Sequence, residues 1–358
     1  MAPVRIAVVG AGLIGRTHIG VLRAGSPDYA LAGVVDSAPF AAEEGKALGY
    51  PVYAGIVEMF EKAKPDGVIV AVPNQMHVKV GLACIAQKIP IIVEKPIADS
   101  VADGLQLVEA GEKANVAILT GHHRRHNPIM RKAAEVIADG GIGRVVAANG
   151  LWLSYKPEGY FDVTWRRENG GGPVLINAIH DIDCLRMLCG DVETVTAITS
   201  NATRQFAVED TAGAVLHFAS GAIGTLLVSD VVSAPWSWEW GSRENPNRPH
   251  DTENAFLVAG TRGSIAVPHL QLRWHEAGKE SWDNPLHQMR LKIRPADAYH
   301  EQMRNFANVI RGIDKPVLDG RGGTVTLATT LAITRSAQNG APVRVSDMMA
   351  SAQIPSVD

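Results

Sequence analysis

Gly10-Ala11-Gly12-Leu13-Ile14-Gly15 sets three glycines at the spacing that lets a phosphate group lie against bare backbone. The turn follows the apolar run Val4–Val9 and opens a helical stretch near Ile14–Ala24, which is the context such a turn requires. Gly10 permits the tight turn, Gly12 lets a pyrophosphate approach, and Gly15 lets helix and strand pack closely. Leu13 and Ile14 begin a helix whose unbonded N–H groups and positive dipole end suit an anion. About twenty residues beyond Gly15, the second apolar run ends at Asp36, placed to accept the hydroxyls of an adenosine ribose. Ser37-Ala38-Pro39 brings no Arg or Lys for a 2′-phosphate, so the pattern favours NAD over NADP.

Two further segments stand at carboxyl ends of apolar runs, where open α/β sheets bind ligands. In Val72-Pro73-Asn74-Gln75-Met76-His77, Asn74 is a candidate for the nicotinamide ribose, with Val72 and His77 close by. A capping role is the equal alternative for Asn74. Glu94-Lys95-Pro96 closes the run Ile89–Val93, and all three residues join the expected cofactor-facing set. Oxidising an alcohol by hydride transfer needs a group that takes the hydroxyl proton and a cation that favours the alkoxide. Lys95 stands where both are wanted, and desolvation beside a positive nicotinamide ring would lower its pKa.

The other half of the chemistry is expected in Gly170-Gly171-Gly172-Pro173-Val174-Leu175-Ile176-Asn177-Ala178-Ile179-His180-Asp181-Ile182-Asp183. Helical spacing groups Asn177, His180 and Asp181, with the apolar stripe Leu175, Ile179, Ile182 and Leu185 beside them. His180 reads as an acid/base group, and Asn177 and Asp181 as substrate ligands. Nearby loops carry His122, His123, Arg124, Arg125, Lys156, Arg166 and Arg167, interleaved with Tyr155, Tyr160 and Trp165. Of these, His123, Arg125, Tyr155, Tyr160, Trp165 and Arg166 are the candidate substrate contacts. Arginines there could grip a carboxylate or phosphate, or could serve only in ion pairs. The aromatic rings suit stacking or simply a core.

These residues must be held by two kinds of layer. Val- and Ile-rich runs at Val4–Val9, Leu31–Asp36, Gly67–Val72, Ile89–Val93 and Val116–Thr120 are continuous, as parallel strands buried on both faces are. Helical stretches near Ile14–Ala24, Phe40–Leu48, Gly55–Ala63, Val78–Gln87 and Ser100–Ala114 alternate with them, with Asp99 and Ser100 as candidate caps for the last. An N-terminal Rossmann domain with a doubly wound parallel sheet is therefore expected over residues 1–121. Past Gly121, alternating runs Arg144–Leu153, Val192–Asn201, Thr211–Ala219 and Ala222–Val232 predict a mainly antiparallel sheet with one covered face. Helices are expected near Ile129–Asp139, Leu175–Leu188, Ala298–Arg311 and Gly323–Asn339, and Pro235–Thr252 reads as a long surface loop. The second domain is α+β, spans 122–358, and its C-terminal helix is expected to pack back on the first.

At 358 residues, two domains are the default. A net charge of −3 calls for neither nucleic acid nor an anionic membrane surface as partner. Three scattered cysteines suggest reduced thiols, with neither a disulfide framework nor a metal site. Met1-Ala2-Pro3 leads straight into an apolar strand without the pattern of a secretory signal, so a cytoplasmic location is expected.

Taken jointly, the fingerprint, the Pro-Asn-x-x-His loop, Glu94-Lys95-Pro96 and the Gly-Gly-Gly…His-x-x-Asp segment resemble the glucose–fructose oxidoreductase, inositol dehydrogenase and rhizopine catabolism (Gfo/Idh/MocA) family. Gly121–Pro128 and Glu301–Val345, which contains Arg335-Ser336-Ala337, are similar to its later segments. The resemblance implies a second domain with a large open sheet used for dimer or tetramer assembly. It implies that Lys95 is the catalytic lysine and His180 the acid/base histidine. It also implies a small-molecule substrate, a sugar, cyclitol or related ring oxidised at a secondary alcohol. Ile176 stands where that family commonly has Asp. Two other readings remain open at this stage: a dihydrodiol dehydrogenase, and an NAD-sensing regulator that has lost the chemistry.

Overall fold

A computed structural model describes residues 2–352. The chain divides into two compact units, the first made of residues 2–126 together with Ala296–Leu327 and the second beginning at Asn127. The division expected at Gly121 thus falls at His126, and a late segment belongs to the first unit.

The first unit is a six-stranded sheet of β1 (Val4–Val9), β2 (Tyr29–Val35), β3 (Val52–Tyr53), β4 (Gly67–Val70), β5 (Ile91–Val93) and β6 (Ile118–Thr120). The order is β3-β2-β1-β4-β5-β6 with every pairing parallel. It is the doubly wound Rossmann order, with the reversal beside β1. The core residues of β1, β4 and β5 are shielded from solvent on both faces, which is why those segments read as unbroken apolar runs. Around the sheet stand α1 (Leu13–Arg23), α2 (Pro39–Leu48), α3 (Ile56–Ala63), α4 (His77–Ala86) and α5 (Val101–Ala114). Ser100 caps α5 by accepting from the Asp103 N–H at 3.1 Å.

The second unit opens with α6 (Pro128–Ala138), capped by Asn127, whose Oδ1 accepts from the Ile129 N–H. Its sheet has β7 (Val145–Leu153), then α7 (Ile179–Cys189), then β8 (Val192–Ser200), β9 (Thr211–Phe218) and β10 (Ile223–Ser229). After the short helix α8 (Trp238–Gly241) come β11 (Phe256–Gly260), β12 (Gly263–Val267), β13 (Gln271–Trp274) and β14 (His287–Arg290). Helix α9 (Ala298–Ile310) returns to the first unit, where Met303, Phe306 and Ala307 join Val4, Ile6, Val8 and Ile69 in one core. Gly67 leaves the room for this, since a Cβ there would lie 2.6 Å from Ile310 Cδ1. Helix α10 (Gly320–Asn339) crosses the division between Leu327 and Ala328, and β15 (Val343–Arg344) and α11 (Val345–Ser351) follow.

The nine strands run β14-β13-β12-β11-β7-β10-β9-β8-β15, antiparallel except for β10 beside β7. Alternation puts Ala212, Ala214, Leu216 and Phe218 of β9 in the core and Gly213, Val215 and His217 on the other face. Sequence reading had not found β11 to β14. Nor is Pro235–Thr252 only a surface loop: α8 lies in it and plants Trp238 fully in the core, with its indole N–H on Glu244 at 2.9 Å.

Candidate active site

The turn between β1 and α1 is built as the glycines require. Gly10 has φ +100°, and a Cβ there would stand 2.4 Å from the Ala71 carbonyl oxygen. A Cβ at Gly15 would fall within the Gly10 carbonyl, so this glycine is what lets α1 start against β1. At Gly12 a Cβ would meet nothing within 4 Å; there the bare backbone faces open space. No side chain caps α1, no acid sits in its first turn, and Leu13 is 91% exposed at its start. Asp36 Oδ2 accepts from the Ala11 N–H at 2.7 Å and Oδ1 from Ala38 N–H at 2.8 Å. These bonds aim the carboxylate across the turn with lone pairs to spare for two hydroxyls. The residues present therefore fit a dinucleotide: uncapped helix N–H groups for the pyrophosphate, a clear approach at Gly12, and an oriented acid for the ribose.

Val72, Asn74 and the Glu94-Lys95-Pro96 segment follow β4 and β5, on the edge where β1 delivers its glycines. Asn74 is half-buried at the head of a 3₁₀ turn, Asn74–Met76, and its side chain caps nothing. His77 corrects an expectation. It is 1% exposed, with Nδ1 2.9 Å from the Pro96 carbonyl and Nε2 2.9 Å from the Val72 carbonyl. It ties the two loops together and offers no surface to a cofactor. Burial pulls its pKa below the ordinary value, while the two carbonyls push back. Glu94 is likewise a support rather than a cofactor ligand, because its carboxylate is buried against His18 at 2.7 Å. Lys95, between buried Glu94 and buried Pro96, is itself only half-buried.

In the second unit the expected helix over Leu175–Leu188 begins as a π turn, Val174–Ala178, and becomes α-helical at Ile179. Such wide turns recur at functional sites. Glu209, which sequence reading missed, accepts from the Val174 N–H at 3.0 Å and so starts the turn. Gly172 makes this possible, because a Cβ there would collide with the Glu209 carboxylate. Leu175, Ile176, Asn177 and His180 are half-exposed, whereas Ala178, Ile179 and Asp181 are buried. Asn177 Oδ1 is sheltered and has no hydrogen-bond partner among the described residues. Asp181 is 0% exposed, so its expected place among substrate ligands is corrected: it follows His180 by about 100° around the helix and is buried.

Most of the cations near the candidate aromatics are already engaged. Lys156 is buried against Asp230 at 3.4 Å and lies 4.8 Å over the Tyr160 ring. Arg166 donates to the Tyr160 carbonyl at 2.6 Å and stacks on the same ring at 4.0 Å, so both are internal braces rather than anion ligands. Arg124 and His122 are buried, Arg125 is half-buried, and His123 stacks on Tyr299 at 4.4 Å. Tyr155 and Trp165 are about half exposed, at 50% and 49%. Tyr155 helps to line a cavity of about 480 Å³ with Phe161, Phe206, Arg167, Arg204, Glu158 and Asp162. Arg204 is fixed there by Asp230 at 3.1 Å, with its guanidinium 4.2 Å over Phe161.

Residues 4–122 match the oxidoreductase family with NAD-binding Rossmann fold, and residues 130–266 match the Gfo/Idh/MocA C-terminal domain. The chain is 29% identical to 1,5-anhydro-D-fructose reductase of Ensifer adhaerens, covering 94% of this chain and 97% of that protein. It is 26% identical to myo-inositol 2-dehydrogenase of Thermotoga maritima, covering 96% and 99%. The WlbA dehydrogenase of Bordetella pertussis, solved with NADH and UDP-GlcNAcA, superposes with a TM-score of 0.77 at 25% identity, covering 96% of this chain and 98% of that one. An NAD-binding Rossmann sheet followed by the C-terminal domain of the same family, both matched in order, makes this chain a member of the Gfo/Idh/MocA oxidoreductases.

Proposed function

We propose that the protein is an NAD-dependent dehydrogenase that oxidises a secondary alcohol on a sugar, cyclitol or related ring. The observation that carries the reading is Lys95: a half-buried cation on the strand edge that bears the dinucleotide turn, fixed between two buried neighbours. Bound NAD would accept the hydride. Once it has shed its own proton Lys95 takes that of the hydroxyl, the ammonium so formed favours the alkoxide, His180 takes the proton onward from it, and Asn177 holds a neighbouring hydroxyl. Asp36 and the lack of a basic residue in Ser37-Ala38-Pro39 favour NAD over NADP. Relatives named for anhydrofructose and myo-inositol support a ring polyol. The internal engagement of Lys156 and Arg166 favours a neutral ring over an acidic one. We also read the protein as a homo-oligomer, joined through the open face of the nine-stranded sheet.

A panel of polyols, sugars, sugar acids and cyclic diols, followed as NADH absorbance with NAD and NADP in parallel, identifies the substrate. On it, Lys95→Met should lower kcat by about a thousandfold or more while NADH still binds. Near-normal turnover by that variant, or equal use of NADP, would remove the corresponding part of the reading.

A further inference from the structure

Glu94 is the residue immediately before Lys95, and its carboxylate is turned into the first unit. Fully buried His18, from α1, meets Oε1 through Nε2 at 2.7 Å. A carboxylate only accepts, so Nε2 carries the hydrogen, and Nδ1 is buried without a hydrogen-bond partner among the described residues. Oε2 accepts from the backbone N–H of Lys95 at 3.3 Å. Gly121 leaves the space: a Cβ there would stand 2.7 Å from Oε1. Tyr299, from α9, meets the His18 ring edge-on at 5.5 Å and carries stacked His123. The titratable groups around this carboxylate are thus His18, His123, Lys95 and, through the field, His77. Burial opposes the charge, but the His18 hydrogen bond and the charges of His18, His123 and Lys95 outweigh it and hold the carboxyl below its ordinary value. A buried anion is expensive to keep unless something is gained by it.

We propose that Glu94 is a positioning residue for Lys95: locked by His18, it fixes the strand end and sets a permanent negative charge one residue from the ammonium. The bound cofactor's positive ring and desolvation both drive the proton off Lys95, and the Glu94 charge opposes them. The role rests on Lys95 acting as proposed above, but its test does not need turnover.

The probe is the lysine side-chain ¹³C signal of the whole enzyme, with Lys95 assigned by its loss in Lys95→Met. In Glu94→Gln, which keeps the size and a hydrogen-bonding partner for His18, Lys95 should titrate about one pH unit or more lower. The matching limb of the kcat/KM profile should move the same way, with NADH still bound. His18→Leu, which takes the hydrogen bond from the buried carboxylate and so weakens its hold on a negative charge, should move Lys95 in the same direction, and His18→Gln, which still donates to Oε1, should restore it. A lower melting temperature with Lys95 titrating unchanged in both Glu94→Gln and His18→Leu reduces the pair to scaffolding and overturns the proposal. Absence of turnover on every substrate would instead count against the function, since the titration is read without substrate.

Discussion

Asn177 carries the least conventional part of the proposed site, because an amide stands next to Ile176, where the resemblance to the family led one to expect a carboxylate. It can donate and accept but cannot store a proton. Asn177→Ala should therefore act chiefly on KM, weakening binding by roughly 1–3 kcal/mol, the worth of one or two buried hydrogen bonds. Asn177→Asp should remain active with an altered pH profile, and an unchanged KM in Asn177→Ala would remove the residue from the pocket. Lys156 gives a prediction of another kind. Burial pulls its ammonium down to about 8 against the attraction of Asp230. An unfolded lysine keeps its proton to about 10.4, so between these values the unfolded chain binds more protons and this residue makes stability rise with pH. Lys156→Met keeps the apolar stem and removes the titration. The difference in melting temperature between wild type and variant should therefore move in favour of the wild type from pH 8 to 10; a flat difference curve would mean that the folded lysine holds its proton.

At the level of elements, the two glycines at the start of α1 should separate folding from binding. Gly15→Ala drives a Cβ into the Gly10 carbonyl and should lower the melting temperature outright. Gly12 has ordinary φ and ψ of −67° and −170°, and its Cβ meets open space. Gly12→Ala should keep the melting temperature and lose NADH affinity, and tight NADH binding by it would put the pyrophosphate elsewhere. Five strands of the first unit's sheet were legible because they are largely buried on both faces and the turn is fixed by local steric rules, whereas two-residue, half-buried β3 was not. Nor were the strands β11 to β14, since β11 alternates buried and exposed over only five residues and all four residues of β14 are exposed. The π turn was hidden for a different reason: its start depends on Glu209 reaching Val174 over Gly172, a contact far apart in sequence. Asp181, grouped with His180 by simple helical spacing, is fully buried. His18 stands in the apolar stretch of α1, and only the fold reveals its partner as Glu94.

For the whole molecule, strand register lines up an open face on the second unit. Ile198, Gly213, Leu227 and Leu151 form one row across β8, β9, β10 and β7, and Thr196, Val215, Thr225, Asn149 and Leu257 form the next. Ile198 is 79% exposed, and Val215, Leu227 and Leu257 exceed 40%. These exposed apolar side chains are the surface through which the proposed oligomer would be joined. Ile198→Lys combined with Leu227→Lys should halve the particle mass in sedimentation without lowering NADH affinity, and an unchanged mass would exonerate the face. The return of α9 has a consequence for synthesis. The core that Val4, Ile6 and Ile69 share with Met303 and Phe306 spans nearly the length of the chain. A ribosome therefore releases all six strands of the dinucleotide unit long before the helix that completes their core. At roughly 5–20 residues per second, that interval is on the order of ten to thirty seconds. Throughout it the nascent chain presents an unfinished apolar surface, and the first part to be made is among the last to be finished.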